Sequence, residues 1–197
     1  MSPKPLIVTA PGGVDRVLLH ACCAPCSGAI IECLLRSGIR PTIFFSNANI
    51  FPLEEYVHRK DECVRYAVSL GLDIVDDDWS HDEWLEAVRG MEDAPERGPR
   101  CLRCFSYRLE RAARYAAANG FGLLTTTLAS SRWKSLDQVN TAGRRACSLV
   151  VGVEWWDMNW RKGGLQERRG EIIREMEFYN QLYCGCEFSL PKEDNEK

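Results

Sequence analysis

The chain reads as an α/β protein, a mostly parallel sheet with helices on both faces, on three observations. Short apolar runs rich in branched and aromatic residues alternate with amphipathic stretches of helical period. Gly or Pro punctuates the junctions between them. And 197 residues, 45% of them hydrophobic, can bury one sizeable core but are short for two. Strands separated by helices favour parallel pairing, because each crossover must return the chain to the same end of the sheet.

In order, Val17 to Ala21 is the first expected strand, followed by a helix from Pro25 to Arg36 that stops near Gly38. Pro41 to Ser46 is a strand, Glu54 to Leu70 a helix closed by Gly71, and Leu72 to Val75 a third strand. Ser80-His81-Asp82-Glu83 has the form of a capping box and opens a short helix through Val88. Met91 to Pro99, rich in Pro, Gly and charge, reads as a mobile loop. Cys104 to Ala118 is then helical, Gly122 to Leu128 a strand, Leu136 to Val150 a helix, Val153 to Met158 a strand, and Leu165 to Tyr183 a last long helix. The expected organisation is a flexible segment over 1–14, one domain over 15–190 and a disordered tail over 191–197, PKEDNEK.

The opening MSPKPLIVTAPGG lacks a basic segment followed by an unbroken apolar one, and no stretch approaches a membrane span. The expected location is therefore the cytoplasm, with no membrane partner. In a reducing compartment, ten cysteines point to metal binding or redox chemistry rather than a disulfide scaffold. Cys33, Cys63 and Cys147 lie among apolar neighbours inside expected helices and read as core. The other seven gather at element junctions: Cys22, Cys23 and Cys26; Cys101 and Cys104; Cys184 and Cys186.

The first group follows the first strand at a helix start, where the backbone N–H groups lower thiol pKa values and make thiolates available as ligands or nucleophiles. The CxxC of Cys101 and Cys104 alone suits zinc, an iron–sulfur cluster or a dithiol. With Cys22 and Cys23 it completes four thiolates, a set that serves zinc or [4Fe–4S]; adjacent Cys-Cys ligands are awkward on one zinc, which tilts the spacing toward the cluster. In Tyr183-Cys184-Gly185-Cys186, Gly185 lets two close thiols meet, and a disulfide across one residue is strained and easily reduced. Two further metal ligands are the alternative.

Charge is uneven along the chain. Residues 1–99 hold nine Lys and Arg against sixteen Asp and Glu, a net −7; residues 100–186 hold fourteen against eight, a net +6. Two basic loops fall at the expected ligand edge of the sheet, one with Arg132 and Lys134, the other with Arg161 and Lys162. Trp133 and Trp160 sit beside them, placed to stack on an unpaired RNA base or to fill core.

The segments LLHACCAPCSG, NANIFPLEEY, RCLRCFSYRLERAARYA, TTTLASSRWKS, WRKGGLQERR and YCGC, spanning roughly 17–188, together resemble the epoxyqueuosine reductases of the QueH type. One departure stands out: Asn47-Ala48-Asn49-Ile50 replaces the usual Asn-Pro-Asn-Ile, which touches no ligand. The resemblance implies a Rossmann-like, HUP-type fold with the C-terminal helix closing over a metal site. It implies reduction of the epoxide of epoxyqueuosine, at the wobble position of tRNA, to the cyclopentene of queuosine, the last step of queuosine synthesis. It further implies a [4Fe–4S] cluster on Cys22, Cys23, Cys101 and Cys104, a redox-active pair in Cys184 and Cys186, and a second iron beside the cluster, for which Cys26, Asp76 and Asp78 are candidate ligands. The reaction consumes two electrons and two protons and releases water, so an electron donor outside the chain is required. Tyr183, His20 and Asp157 are candidate proton donors by position. Two other readings compete: a thiolation enzyme of the ATP-pyrophosphatase type, disfavoured because Cys22 to Cys26 stand where its Ser-Gly-Gly-x-Asp-Ser loop belongs, and a zinc-stabilised RNA-binding module.

Overall fold

The computed structural model describes residues 6–190. Among them lie five strands in one all-parallel sheet of order β3-β2-β1-β4-β5. These are β1 Arg16–Ala21, β2 Arg40–Phe45, β3 Ile74–Asp76, β4 Leu123–Thr126 and β5 Glu154–Trp155. The central strand β1 is buried from Val17 through Ala21 without alternation, as both faces are covered. Leu18 pairs with Thr42 of β2 on one side and Leu124 of β4 on the other.

Six α-helices connect the strands among the described residues: α1 Ala24–Arg36, α2 Leu53–Ser69, α3 His81–Val88, α4 Pro99–Ala118, α5 Leu136–Ser148 and α6 Leu165–Glu175. The chain runs outward from β1 to β3 and then returns to β4 beyond β1. Right-handed crossovers therefore place α1 and α2 on one face and α4 and α5 on the other. α6 packs on α1, and α3 on α4. This is a Rossmann-like arrangement, and its topological switch point lies between β1 and β4, where a crevice opens beyond their carboxyl ends.

Gly143 shows how closely α5 is laid on the sheet, since a Cβ there would fall 2.3 Å from the ring of Trp155. A rigid indole cannot yield that much, so Gly143→Ala is expected to destabilise the fold by about 1–3 kcal/mol. Thermal unfolding should read this as a Tm loss of several degrees, and an unchanged Tm would mean that the ring repacks freely.

The structure differs from the sequence expectation in several places: β4 ends at Thr126 instead of Leu128, β5 at Trp155 instead of Met158, and α5 at Ser148 instead of Val150. α4 starts at Pro99, with Gly98 as N-cap and Pro at the first helical position, so the Gly-Pro pair begins a helix where it reads as a break. The expected capping box does not form. The Ser80 hydroxyl meets Tyr107 Oη at 3.0 Å, and Glu83 accepts from Tyr107 and Arg111; tertiary partners from α4 have replaced the local ones. The expected mobile loop before α4 is tied down by Arg100, whose Nη1 donates to the carbonyls of Met91, Glu92 and Ala94. Finally, α6 ends at Glu175 instead of Tyr183.

That last ending is a Schellman motif: Phe178 N–H donates to Ile173 O (2.9 Å) and Glu177 N–H to Arg174 O, with Glu177 at φ +52°. The position usually belongs to glycine. Phe178 turns inward to pack edge-on against Tyr66, and that burial offsets the left-handed backbone at Glu177. The expectation that a C-terminal helix closes over the site is thus corrected: α6 stops at Glu175, and the chain continues past it as an irregular segment. At the other end, Val8 N–H donates to Ser37 Oγ and Ala10 is buried, so the described part of 1–14 lies against the end of α1. The expected tail over 191–197 lies outside the described residues.

Candidate metal and redox site

The carboxyl end of β1 delivers Cys22 and Cys23 to the crevice. Cys22 N–H donates to Thr127 Oγ1 (3.0 Å), and that hydroxyl lies 3.3 Å from Cys22 Sγ. Cys23 is the N-cap of α1, and Cys26 follows one turn in. Their three sulfurs lie within 4.8 Å of one another, in reach of a single metal ion. Gln181, from the segment after α6, donates its Nε2–H to Cys23 Sγ at 2.8 Å.

Cys101 and Cys104 sit three residues apart on the first turns of α4, so they face the same way. With Cys184 and Cys186 they line a cavity of about 570 Å³ that also takes in Asn49, Trp84, Arg100 and Phe105. A wider, more polar cleft of about 1080 Å³ holds Cys22, Cys26 and Cys184. Glu96, Arg108, Trp133, Lys134 and Cys184 line both spaces, which makes them one bipartite site. Buried Arg108 donates from Nε to Ser46 O (3.1 Å) and from Nη2 to Asn47 Oδ1, and Asn47 in turn donates to Ala21 O at the foot of Cys22. Three buried polar atoms facing the smaller cavity have no hydrogen-bond partner: Asn49 Oδ1, Trp84 Nε1 and Arg100 Nε.

The segment after α6 is strapped across this site. Tyr179 N–H donates to Glu62 Oε1 (2.6 Å), Arg59 Nη2 to Tyr183 O (3.2 Å) and Phe51 N–H to Gly185 O (2.9 Å). Gly185 is required twice over, by its φ of +103° and by Ile50, 2.8 Å from where a Cβ would stand. His81 secures the far end, its Nδ1–H donating to Ala48 O and its Nε2 meeting Glu187 Oε1 at 2.9 Å, while it stacks between Trp79 and Trp84.

In two of the three thiol groups one sulfur is held low, whereas burial pushes both Cys101 and Cys104 up. Hydrogen bonds from Cys23 and Cys26 hold Cys22 well below the ordinary thiol range, while burial pushes Cys23 up. The Cys186 thiol likewise holds Cys184 low, with Lys134 adding to the effect, and Cys186 is raised by the same contact. Burial opposes the charge of Lys134, yet Cys22, Cys184 and Cys26 together keep its ammonium above the usual lysine range. Cys184 is also exposed. In the metal-free chain, iodoacetamide should therefore label Cys184 at neutral and mildly acidic pH, with Cys186 spared. Its rate should fall only as pH drops through the lowered pKa, and Cys186→Ala, which removes the donor, should move that midpoint upward. Mass spectrometry of the labelled peptide reads both; a midpoint at the ordinary thiol value would refute the pairing.

The structure separates the remaining sequence candidates. His20 is fully buried and held near pKa 3, chiefly by burial and then by Arg108. Ser46 O can only accept, so His20 Nε2 carries the hydrogen and Nδ1 accepts from Thr126 Oγ1 at 2.7 Å; His20 is a satisfied core residue, not a proton donor. Asp157 pairs with Arg144 outside either cavity. Tyr183 lines the cleft with its hydroxyl donating to Phe51 O. Asp76 is engaged by Tyr56 and Lys60, and neither it nor Asp78 joins the three-sulfur group, of which Cys26 is a member.

Among the basic candidates, Arg132 and Lys162 are exposed. Lys134 points inward to the thiols, and Arg161 is half-buried with Nη2 on Lys134 O (2.8 Å), shaping the loop rather than standing free. Trp133 is 80% exposed at the mouth of both cavities, whereas Trp160 is fully buried against Trp156. Sequence reasoning missed Glu96, Arg108, Arg169 and Gln181, which line or touch the site. Only the neighbouring CxxC marked the first two, and no motif marked the others.

Fold and site together define a class: a Rossmann-like α/β protein whose switch-point crevice is lined with free thiols able to hold metal and to exchange electrons. The sequence carries the assignment further. The family model described as "Epoxyqueuosine reductase QueH" matches residues 17–192, and the chain belongs to this QueH family. Relatives bearing that name include the Acinetobacter baylyi protein, 47% identical over 190 residues that cover 96% of this chain and 87% of the relative. The Histophilus somni protein is 49% identical, covering 91% and 74%, and that of Thermotoga maritima 35%, covering 90% and 91%. No described helix is long and apolar enough to cross a membrane.

Proposed function

We propose that this chain deoxygenates epoxyqueuosine in tRNA to queuosine, the final step of queuosine synthesis, and that it works in the cytoplasm, where its ten cysteines stay reduced. The observation that carries the reading is the bipartite cleft, with Cys184 common to both halves and Lys134 between the thiol groups.

The thiol chemistry of the donor set suits an iron–sulfur centre, although Cys22 and Cys23 are grouped with Cys26 while Cys101 and Cys104 line the adjoining cavity. Cys22, Cys23, Cys101 and Cys104 are free thiols from two helix beginnings, and the unpartnered N–H groups of Trp84 and Arg100 face the cavity that Cys101 and Cys104 line, as donors to cluster or cysteine sulfur do. A [4Fe–4S] cluster held by those four would supply one-electron transfer. Cys26 completes the three-sulfur group with Cys22 and Cys23 and is the favoured protein ligand for a second iron, which the two aspartates are not.

The chain's own residues account for the rest. Opening the epoxide to an alkene takes up two electrons and two protons and releases water; oxidation of the Cys184 thiolate and Cys186 thiol to a disulfide supplies both electrons and one proton, the Lys134 ammonium supplies the other and is reprotonated from solvent, and an external donor then reduces the disulfide. Lys134 and Arg108 stabilise the thiolates and the negative charge that develops on the departing oxygen. The strap from Tyr179 to Cys186 excludes water from the reacting bond. Arg132, Lys162 and Arg169 meet tRNA phosphates, and exposed Trp133 stacks on an unpaired base beside the cleft.

The test is anaerobic purification followed by assay on tRNA bearing epoxyqueuosine. Brown protein that converts the nucleoside to queuosine supports the proposal; colourless, zinc-loaded protein without conversion refutes it.

A further inference from the structure

Apart from the Cys22 and Cys184 thiols, the charged side chains lining the wider cleft are basic, namely Arg59 (paired with Glu55), Arg108, Lys134 and Arg169, with one exception. That exception is Glu96, which also lines the smaller cavity and is the single acidic residue on either wall among the described residues. Glu96 forms no ion pair or hydrogen bond among those residues, although Arg97 and Arg132 are close along the same loops. Its backbone is nonetheless fixed. Arg97 N–H donates to Cys101 Sγ (3.3 Å), the Arg97 guanidinium to the carbonyls of Trp133 and Arg132, and Gln138 Nε2 to Arg97 O at 2.8 Å.

An unpaired carboxylate fixed in a cationic cleft lowers affinity for phosphate, so it must answer some other feature of the substrate. Epoxyqueuosine offers one. Its epoxide-bearing ring hangs from the deazaguanine base by an aminomethyl link, and an aliphatic amine of this kind is protonated near neutral pH. Arg108 and Arg169, which have no acidic partner among the described residues, would repel that ammonium, whereas Arg59 is paired with Glu55 and Lys134 faces the thiols.

We infer that Glu96 binds the protonated linking amine of the modified nucleoside and so selects epoxyqueuosine over an unmodified wobble guanosine. The inference rests on the proposed substrate. Glu96 holds the link while the base lies on the Trp133 side and the epoxide reaches inward toward Cys184, since both residues border the same cleft.

The experiment compares cluster-loaded wild type, Glu96→Gln and Glu96→Asp on three anticodon stem-loop RNAs: one bearing epoxyqueuosine, one bearing aminomethyl-deazaguanosine (the amine without the ring) and one bearing guanosine. Glu96→Gln should weaken binding of both amine-bearing RNAs about tenfold and leave the guanosine RNA within about twofold, the size expected for one charge-assisted hydrogen bond. For epoxyqueuosine, KM should rise with kcat nearly kept, Glu96→Asp should recover part of the loss, and the cluster absorbance and Tm should match wild type. Equal loss on all three RNAs, or no loss on the amine-bearing pair, overturns the assignment. Failure of the wild type itself to convert epoxyqueuosine is a different result, and would remove the underlying function instead.

Discussion

Cys184→Ser should keep its iron and sulfide, and with them its brown colour, while deoxygenation falls by about 10³-fold or more, as expected when a covalently acting group is deleted. Cys184 is the exposed, low-pKa member of its pair, so it is the thiol that reacts first, and Cys186, buried and raised, resolves. Serine preserves the volume and loses only the redox chemistry, and the strap that positions the residue is anchored through Tyr183 O and Gly185 O, which the substitution leaves untouched. Cys186→Ser should be similarly inactive with a normal cluster. Single-turnover assay with prereduced protein reads the chemistry directly; normal turnover by either variant would dismiss the dithiol as the two-electron source.

Cys101→Ser is expected to lose the cluster itself. Cys101 and Cys104 share one face at the start of α4, and three soft ligands with one hydroxyl hold iron–sulfur poorly. Anaerobically purified protein should fall from about four iron and four sulfide per chain toward none. The fold should survive, because Cys101 is only half-buried at the edge of the core and serine is nearly its size. Retention of full absorbance by a folded Cys101→Ser protein would remove it from the ligand set and shift weight to the group of Cys22, Cys23 and Cys26, whose sulfurs already lie within 4.8 Å of one another.

The sheet, its parallel sense and the seven junction cysteines were legible because each rests on a local signal: an apolar run, a Gly or Pro junction, a CxxC spacing. Boundaries failed where a distant partner outbid the local one. Ser80 bonds to Tyr107 rather than to its own helix, and Glu177 takes a backbone normally left to glycine because Phe178 finds Tyr66. The basic loops were found, but their roles divided only in space. Lys134 turned to the thiols, Arg161 to a carbonyl, and Trp160 to the core, leaving Arg132, Lys162 and Trp133 outside.

The sequence by itself determined the order of strands and helices, the thiol chemistry and the family, since periodicity and close spacing are properties of neighbours along the chain. Only the tertiary structure decided which sulfurs share a cavity, that Cys22 and Cys184 are held low, and that one glutamate shares a cleft wall with basic side chains. Those depend on residues as far apart as Cys23 and Gln181 meeting at 2.8 Å, and the field at a point is the sum over whatever the fold brings near it.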